Sequence, residues 1–250
     1  MIRIKSSTDA RTRPQKGGND LSADTRGRLL EAGLRQFGRS GLDGVSTRQL
    51  AEAAGVNLAA IPYHFGGKEG LYLAVAKHLV DGRAAPARQL VESLQRSLRS
   101  TEVGPDRATA MLRELIATLG RTVLLAPEAT DMIGYLSREQ LHPTAAFDVV
   151  YEGFIRPVHE TLALLVARVQ GKAAPDRRAI IRAHAIVGQI LAFHIGRETA
   201  LRRLEWDAYT LARLEELIAE ITDFVFQGLG VPGVVRPAPK SRGQMSRRSR

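Results

Sequence analysis

Between Ser46 and Lys68 the chain collects residue types suited to holding a nucleic-acid backbone. Tyr63, His64 and Lys68 each end in a hydrogen-bond donor, and donors of this kind on phosphate oxygens fix register without reading sequence. Ser46, Thr47 and Arg48 form a second polar group upstream, and an arginine there can fork onto the major-groove edge of a guanine. Asn57, Leu58, Ala59 and Ala60 lie between the two groups. Small residues at the exposed start of a short helix let its backbone sit deep in a major groove. Other chemistries lack their parts. Cysteine is absent, which removes disulfides, thiolate catalysis and cysteine-ligated zinc. His159-Glu160 lacks the second histidine of an HExxH zinc site. No glycine-rich phosphate loop or G-x-S-x-G elbow occurs, so neither enzymatic activity nor a metal or cofactor is expected.

These side chains need short helices to aim them. Ser46 can cap one whose inner face is Leu50, Ala51 and Ala54. Gly55 supplies the left-handed residue that ends it, Val56 plugs the turn, and Asn57 caps the next helix. Pro62 then falls inside that second helix, where a proline costs about 3 kcal/mol in an ordinary interior. So near the N-terminus several N–H groups lack partners anyway, so a tight, distorted but unbroken helix is expected. Ile61 and Phe65 anchor it, and Gly66-Gly67 turns the chain so that Lys68 starts the next helix near the same phosphates. The spacing is that of a helix–turn–helix.

Around it, apolar residues recur at helical spacing and strand signals are nearly absent. A first helix capped by Ser22 or Asp24 carries Leu30, Leu34 and Phe37 and closes at Gly41. A long one runs from Lys68 towards Arg83, with Pro86 marking a bend or break. Further helices are expected at about 106–125, 127–141, 143–170 and 176–203. A last one, from Asp207 to Gln227, has Leu211, Leu214, Ile218, Ile221 and Val225 on one face, and Gly228, Gly230 and Pro232 stop it. The expected fold is all-α: an N-terminal three-helix helix–turn–helix DNA-binding domain on a larger helical body. The boundaries read as a basic disordered arm at 1–21, the helix–turn–helix at 22–68, the body at 69–228 and a basic disordered tail at 229–250.

Of the formal net charge of +10, the arm holds +3 and the tail +6, so the body is close to neutral. Two readings of these tails are open: attraction to nucleic acid, and solubility. No apolar run suggests a secretory signal or a membrane span, and the expected location is the cytoplasm.

Ser46-Thr47-Arg48-Gln49-Leu50-Ala51, Ala54-Gly55-Val56 and Tyr63-His64-Phe65 with Lys68 and Leu71 resemble the N-terminal domain of TetR-family transcriptional repressors, over roughly 24–75. Pro62 departs from the pattern, because the family often has a tyrosine there that touches the DNA backbone. Segments 138–162 and 183–198 resemble the CecR-like branch. The resemblance implies that the helical body is a ligand-binding and dimerisation domain, and that the protein is a homodimeric repressor that leaves a pseudo-palindromic double-stranded operator when a small molecule binds. Repression as opposed to activation rests on the resemblance alone. The implied dimer uses 176–203 and 207–228, whose broad apolar stripes include Gly188 and Ala192 for a close crossing. For the effector, Met132, Tyr135, Phe147, Tyr151, Phe154, His184 and Phe193 offer apolar and aromatic walls with a few polar groups, the usual makeup of a pocket. A second functional class is also open: a sequence-tolerant, architectural DNA-binding protein working through its tails.

Overall fold

The computed structural model describes residues 17–100, 102–126 and 129–231. Most of the arm and the tail therefore lies outside the described residues, which consist of helices and turns with no strand. They form two compact units. One takes in the chain up to Val91 together with Ala126–Val158, the other Glu92–Leu125 together with the chain from His159 onward.

The first unit is arranged around α1 (Gly17–Ser40). This helix starts before the expected caps Ser22 and Asp24. Asp24 instead makes an i,i+4 pair with Arg28 at 3.7 Å, a pairing that favours continued helix. Leu30, Leu34 and Phe37 are buried as their spacing requires, and Gly41 (φ +75°) closes the helix with its N–H on the Phe37 carbonyl. Behind α1 lie α2 (Thr47–Ala54), α3 (Ala60–Phe65) and α4 (Lys68–His78), then α7 (Ala129–Leu141) and α8 (Ala145–Val150), numbered in chain order. α1 and α7 cross almost backbone to backbone. A Cβ on Gly38 would lie 2.4 Å from the Asp131 carbonyl oxygen, and one on Gly134 would lie 2.5 Å from that of Gly38. Contacts this close exclude any side chain at either position.

A polar network ties α4 to α7. The Tyr72 hydroxyl donates to Glu139 at 2.6 Å, and Glu139 also accepts the Thr144 amide at 3.0 Å and the Thr144 hydroxyl. The Tyr135 hydroxyl donates to the Tyr72 carbonyl at 2.9 Å. Glu139 is buried, so these bonds are what make its burial tolerable. Burial, then the neighbouring carboxylate, push the Tyr72 phenol up.

The helix that begins at Lys68 is interrupted just ahead of Pro86, as expected there. α4 widens beforehand into a π-helical turn, Leu79–Arg83, and α5 (Ala85–Ser100) follows. Pro86 has no N–H to return to the Gly82 carbonyl, and just before it Ala84 donates five residues back, to Leu79, at 2.9 Å. The expected helix 143–170 is interrupted in the same way. α8 passes into a π turn, Tyr151–Ile155, ahead of Pro157 in α9 (Arg156–Val169). The two wide turns touch, since a Cβ on Gly153 would lie 2.7 Å from Cγ1 of Val80.

In the second unit, α6 (Pro105–Leu124) buries Leu112, Leu115, Ile116 and Leu119 against α10 (Arg177–Ile195) and α12 (Leu211–Leu229). The expected single helix 176–203 is broken at Gly196, where α10 and α11 (Arg197–Leu204) meet at 75°. α12 starts later than expected, after Thr210, whose hydroxyl accepts the Arg213 amide. It runs through Gly228 and stops at Gly230 (φ +76°). Leu214, Ile218, Ile221 and Val225 are buried as expected, but Leu211, in the first turn, is 59% exposed. No single helix among the described residues is long and apolar enough to cross a membrane.

Candidate nucleic-acid interface

α2 opens with a complete capping box. The Ser46 hydroxyl oxygen accepts the Gln49 amide at 3.2 Å, and the Gln49 side chain accepts the Ser46 amide at 2.9 Å. Leu50, Ala51 and Ala54 face inward, and Gly55 (φ +61°) ends the helix as expected. The same box fixes the rotamer of Ser46 and leaves Arg48 exposed, with Thr47 partly so.

Asn57 works one step earlier than anticipated. Its side-chain oxygen accepts the Ala59 amide at 2.8 Å, so it caps a turn through Leu58 and Ala59, and α3 proper begins at Ala60. Pro62 is the third residue of α3, where its missing N–H would have had no partner in an undistorted helix. The chain passes through unbroken: Tyr63 donates to the Ala59 carbonyl at 3.2 Å and Gly66 to that of Pro62 at 3.0 Å. Ile61 is fully buried, whereas Phe65 is only half-buried. Gly66 (φ +75°) and Gly67 (φ +142°) then adopt conformations closed to other residues, and Lys68 becomes the first residue of α4.

The candidate contacts therefore share one unit and reach solvent together. Ser46, Arg48, Asn57, Leu58, Ala59 and Tyr63 are exposed, while Thr47, Ala60, His64 and Lys68 are partly so. Tyr63 is 80% exposed, with its ring edge-on to His64 at 4.8 Å. An aromatic so exposed on a six-residue helix has no packing role to explain it.

Two arginines of α1 that the sequence did not single out hold this motif. Arg28 donates through Nε and Nη2 to the Ala54 carbonyl, at 2.9 and 2.6 Å, and through Nη2 to the Gly55 carbonyl. The Arg26 guanidinium lies over the Phe65 ring, 5.3 Å from its centroid. Neither could have been found by spacing, because the partners are backbone carbonyls and a ring distant in sequence.

The seven pocket candidates divide between the two units. Five lie in the first unit: Met132, Tyr135, Phe147, Tyr151 and Phe154. Tyr135 is fully buried, with its hydroxyl donating to the Tyr72 carbonyl. Met132 is buried and lines a cavity of about 230 Å³ with Gly82, Arg83 and Pro86. Phe147 and Tyr151 stack at 5.6 Å with Tyr151 38% exposed, and Phe154 is half-buried. His184 and Phe193 belong to the second unit. His184 is exposed, 5.3 Å from the His159 ring, and Phe193 packs on the cluster of Leu201, Tyr209 and Leu217.

Residues 29–75 match the family model for bacterial regulatory proteins of the tetR family, and residues 108–229 match that for the C-terminal domain of the HTH-type transcriptional dual regulator CecR. The chain is 40% identical over 207 residues to the dual regulator CecR of Shigella flexneri, covering 80% of this chain and 91% of that protein. It is 49% identical over 70 residues to the regulatory protein RaaS of Mycobacterium tuberculosis, which amounts to 26% of this chain and 32% of RaaS. Among solved structures, AibR in complex with isovaleryl coenzyme A and operator DNA superposes with a TM-score of 0.59 at 15% identity, over 81% of this chain and 98% of AibR. HlyIIR, a hemolysin II transcriptional regulator, gives 0.54 at 21% identity, over 81% of this chain and 99% of that one. At these identities the structural likeness speaks to fold alone.

Proposed function

Since the chain belongs to the TetR family of bacterial transcriptional regulators, in its CecR-like branch, we propose that it binds a pseudo-palindromic operator in double-stranded DNA as a two-fold homodimer. One recognition helix, α3, enters each of two major grooves. The observation that carries this reading is the capped helix–turn–helix with Arg48 and Tyr63 exposed and His64 and Lys68 partly so. Arg48 reads a base edge, and Tyr63, His64 and Lys68 hold phosphates. The output is repression, released by a small-molecule effector in the helical body. AibR, which was crystallised with an acyl coenzyme A and operator DNA, offers a precedent for such control. CecR is named a dual regulator, so activation at some promoters is the second reading to test.

The dimer forms through α10, α11 and α12. Ile181 is 62% exposed, Ile195 73% and Phe224 66%, and nothing lies within 4 Å of where a Cβ on Gly188 or Gly228 would be. Exposed apolar groups around open glycines suit a close helix–helix contact with a second copy. The protein acts in the cytoplasm and spans no membrane.

The test is selection of bound sites from random duplexes, followed by affinities for the selected and a scrambled duplex at stated salt. A repressor gives a ratio of about 10³ or more, with two half-sites about one helical turn apart. A ratio near one makes the chain an architectural, sequence-tolerant binder.

A further inference from the structure

Arg28 would ordinarily be counted with the phosphate contacts, being a cation in a DNA-binding unit. Its geometry says otherwise. Nε and Nη2 are spent on the Ala54 and Gly55 carbonyls, and Nη1 faces Asp24 at 3.7 Å. All three nitrogens are thus turned towards protein oxygens. The carbonyls it holds are at the C-terminal end of α2, where helical peptide groups run out of N–H partners and the helix dipole presents negative charge. A planar guanidinium can bridge two of them, which an ammonium cannot do with the same geometry.

The location of that bridge matters because the turn between α2 and α3 begins at Gly55. A Cβ there would come within 2.8 Å of Arg28 Nη2, so the glycine both adopts the left-handed turn and makes room for the guanidinium. At the other end of α3, Arg26 lies over Phe65. Two residues of one α1 turn therefore grip the recognition helix at both ends, through the turn that enters it and the ring that closes it.

We propose that Arg28 is a specificity-determining positioning residue. It sets the angle at which α3 leaves α2, and so contributes to discrimination between sequences while contributing no charge to the DNA backbone. Arg26 is its counterpart at the far end of α3. This rests on the reading of α2–α3 as the operator-binding motif.

The experiment uses full-length wild type, Arg28→Met and Arg28→Lys, each titrated against the duplex selected by wild type and against a scrambled duplex, over a series of salt concentrations. Hydrogen bonds to a charged group of this kind lead us to expect a loss of about tenfold or more in the specific-to-scrambled ratio for both variants. The slope of log affinity against log salt on scrambled DNA stays at the wild-type value. Arg28→Lys keeps the charge, so its failure to rescue discrimination separates positioning from electrostatics. A salt slope that falls by about 0.9 in Arg28→Met and recovers in Arg28→Lys would identify a phosphate contact and overturn the proposal. An unchanged ratio in both variants, with helical content and melting as in wild type, would overturn it too. Wild type that fails to discriminate between the duplexes fails the operator reading itself, independently of either variant.

Discussion

At the scale of single residues, Arg48 and Lys68 are assigned opposite roles, and their variants should separate them. Arg48 stands exposed in the first turn of α2, beside the capped Ser46. Replacing it with alanine should weaken operator binding by about 1–3 kcal/mol and relax preference at one base position. Lys68, at the start of α4, should behave differently: Lys68→Ala weakens binding to every duplex and lowers the salt slope by about one contact. Fluorescence anisotropy on selected and scrambled duplexes reads both. Two variants that bind like wild type would remove these residues from the interface. Local contacts such as these were legible in the sequence, because capping boxes, αL glycines and Asx caps depend on neighbours within four positions. Ser46 and Gly55 fall where the sequence put them, and the Gln49 half of the capping box is added by the structure. The Arg28 clasp spans 26 residues and ends on backbone, and no pattern of side-chain types announces such a partner.

At the scale of helices, apolar stripes were more legible than joints. The stripe on α12 held from Leu214 to Val225, but the break at Gly196 and both π turns were missed. Periodicity averages over a window and is nearly blind to one extra residue in a turn, whereas Pro86 and Pro157 act on single carbonyls. Aromatic type on its own marks burial, as at the fully buried Tyr135, and does not tell a core position from a pocket wall. Between α9 and α10, His159 and His184 face each other, and His159 is held below the usual imidazole range by burial and then by the charge of His184. His194 on α10 is lowered by burial as well, against the hydrogen bond to the Val123 carbonyl. For both, the folded state declines a proton that the unfolded chain accepts. Their stabilisation is therefore complete above the unfolded value near 6.5 and is lost as pH falls through the folded values. Melting midpoints measured between about pH 7.5 and about pH 5.5 should fall on acidification, and fall less steeply in His159→Gln/His194→Gln. Equal slopes in the variant and wild type would mean that these imidazoles do not control the response.

At the scale of the whole molecule, assembly is the property most exposed to test. Gly188 lies open on α10, so a large side chain there costs the monomer little. In a dimer built on α10 and α12 it meets the second copy. Gly188→Trp should raise the monomer fraction in sedimentation velocity and leave the melting of the monomer nearly unchanged, with a penalty of about 1–3 kcal/mol at the contact. A dimer indifferent to this change would place the interface on another surface.

The first unit is discontinuous in sequence, and this has a consequence for how the protein is made. When the ribosome has finished α4, every residue of the helix–turn–helix has been synthesised. At that moment Gly38 has no α7 backbone to lie against, and the Tyr72 hydroxyl has no Glu139 to accept its hydrogen bond. Those partners emerge only after α5 and α6 have been translated, although Glu92–Leu125 belongs to the other unit. Vectorial folding can therefore bring α1 to α4 together but cannot complete this unit's core before α7 emerges. A chain truncated before α7 carries the recognition motif without the helix that completes its core.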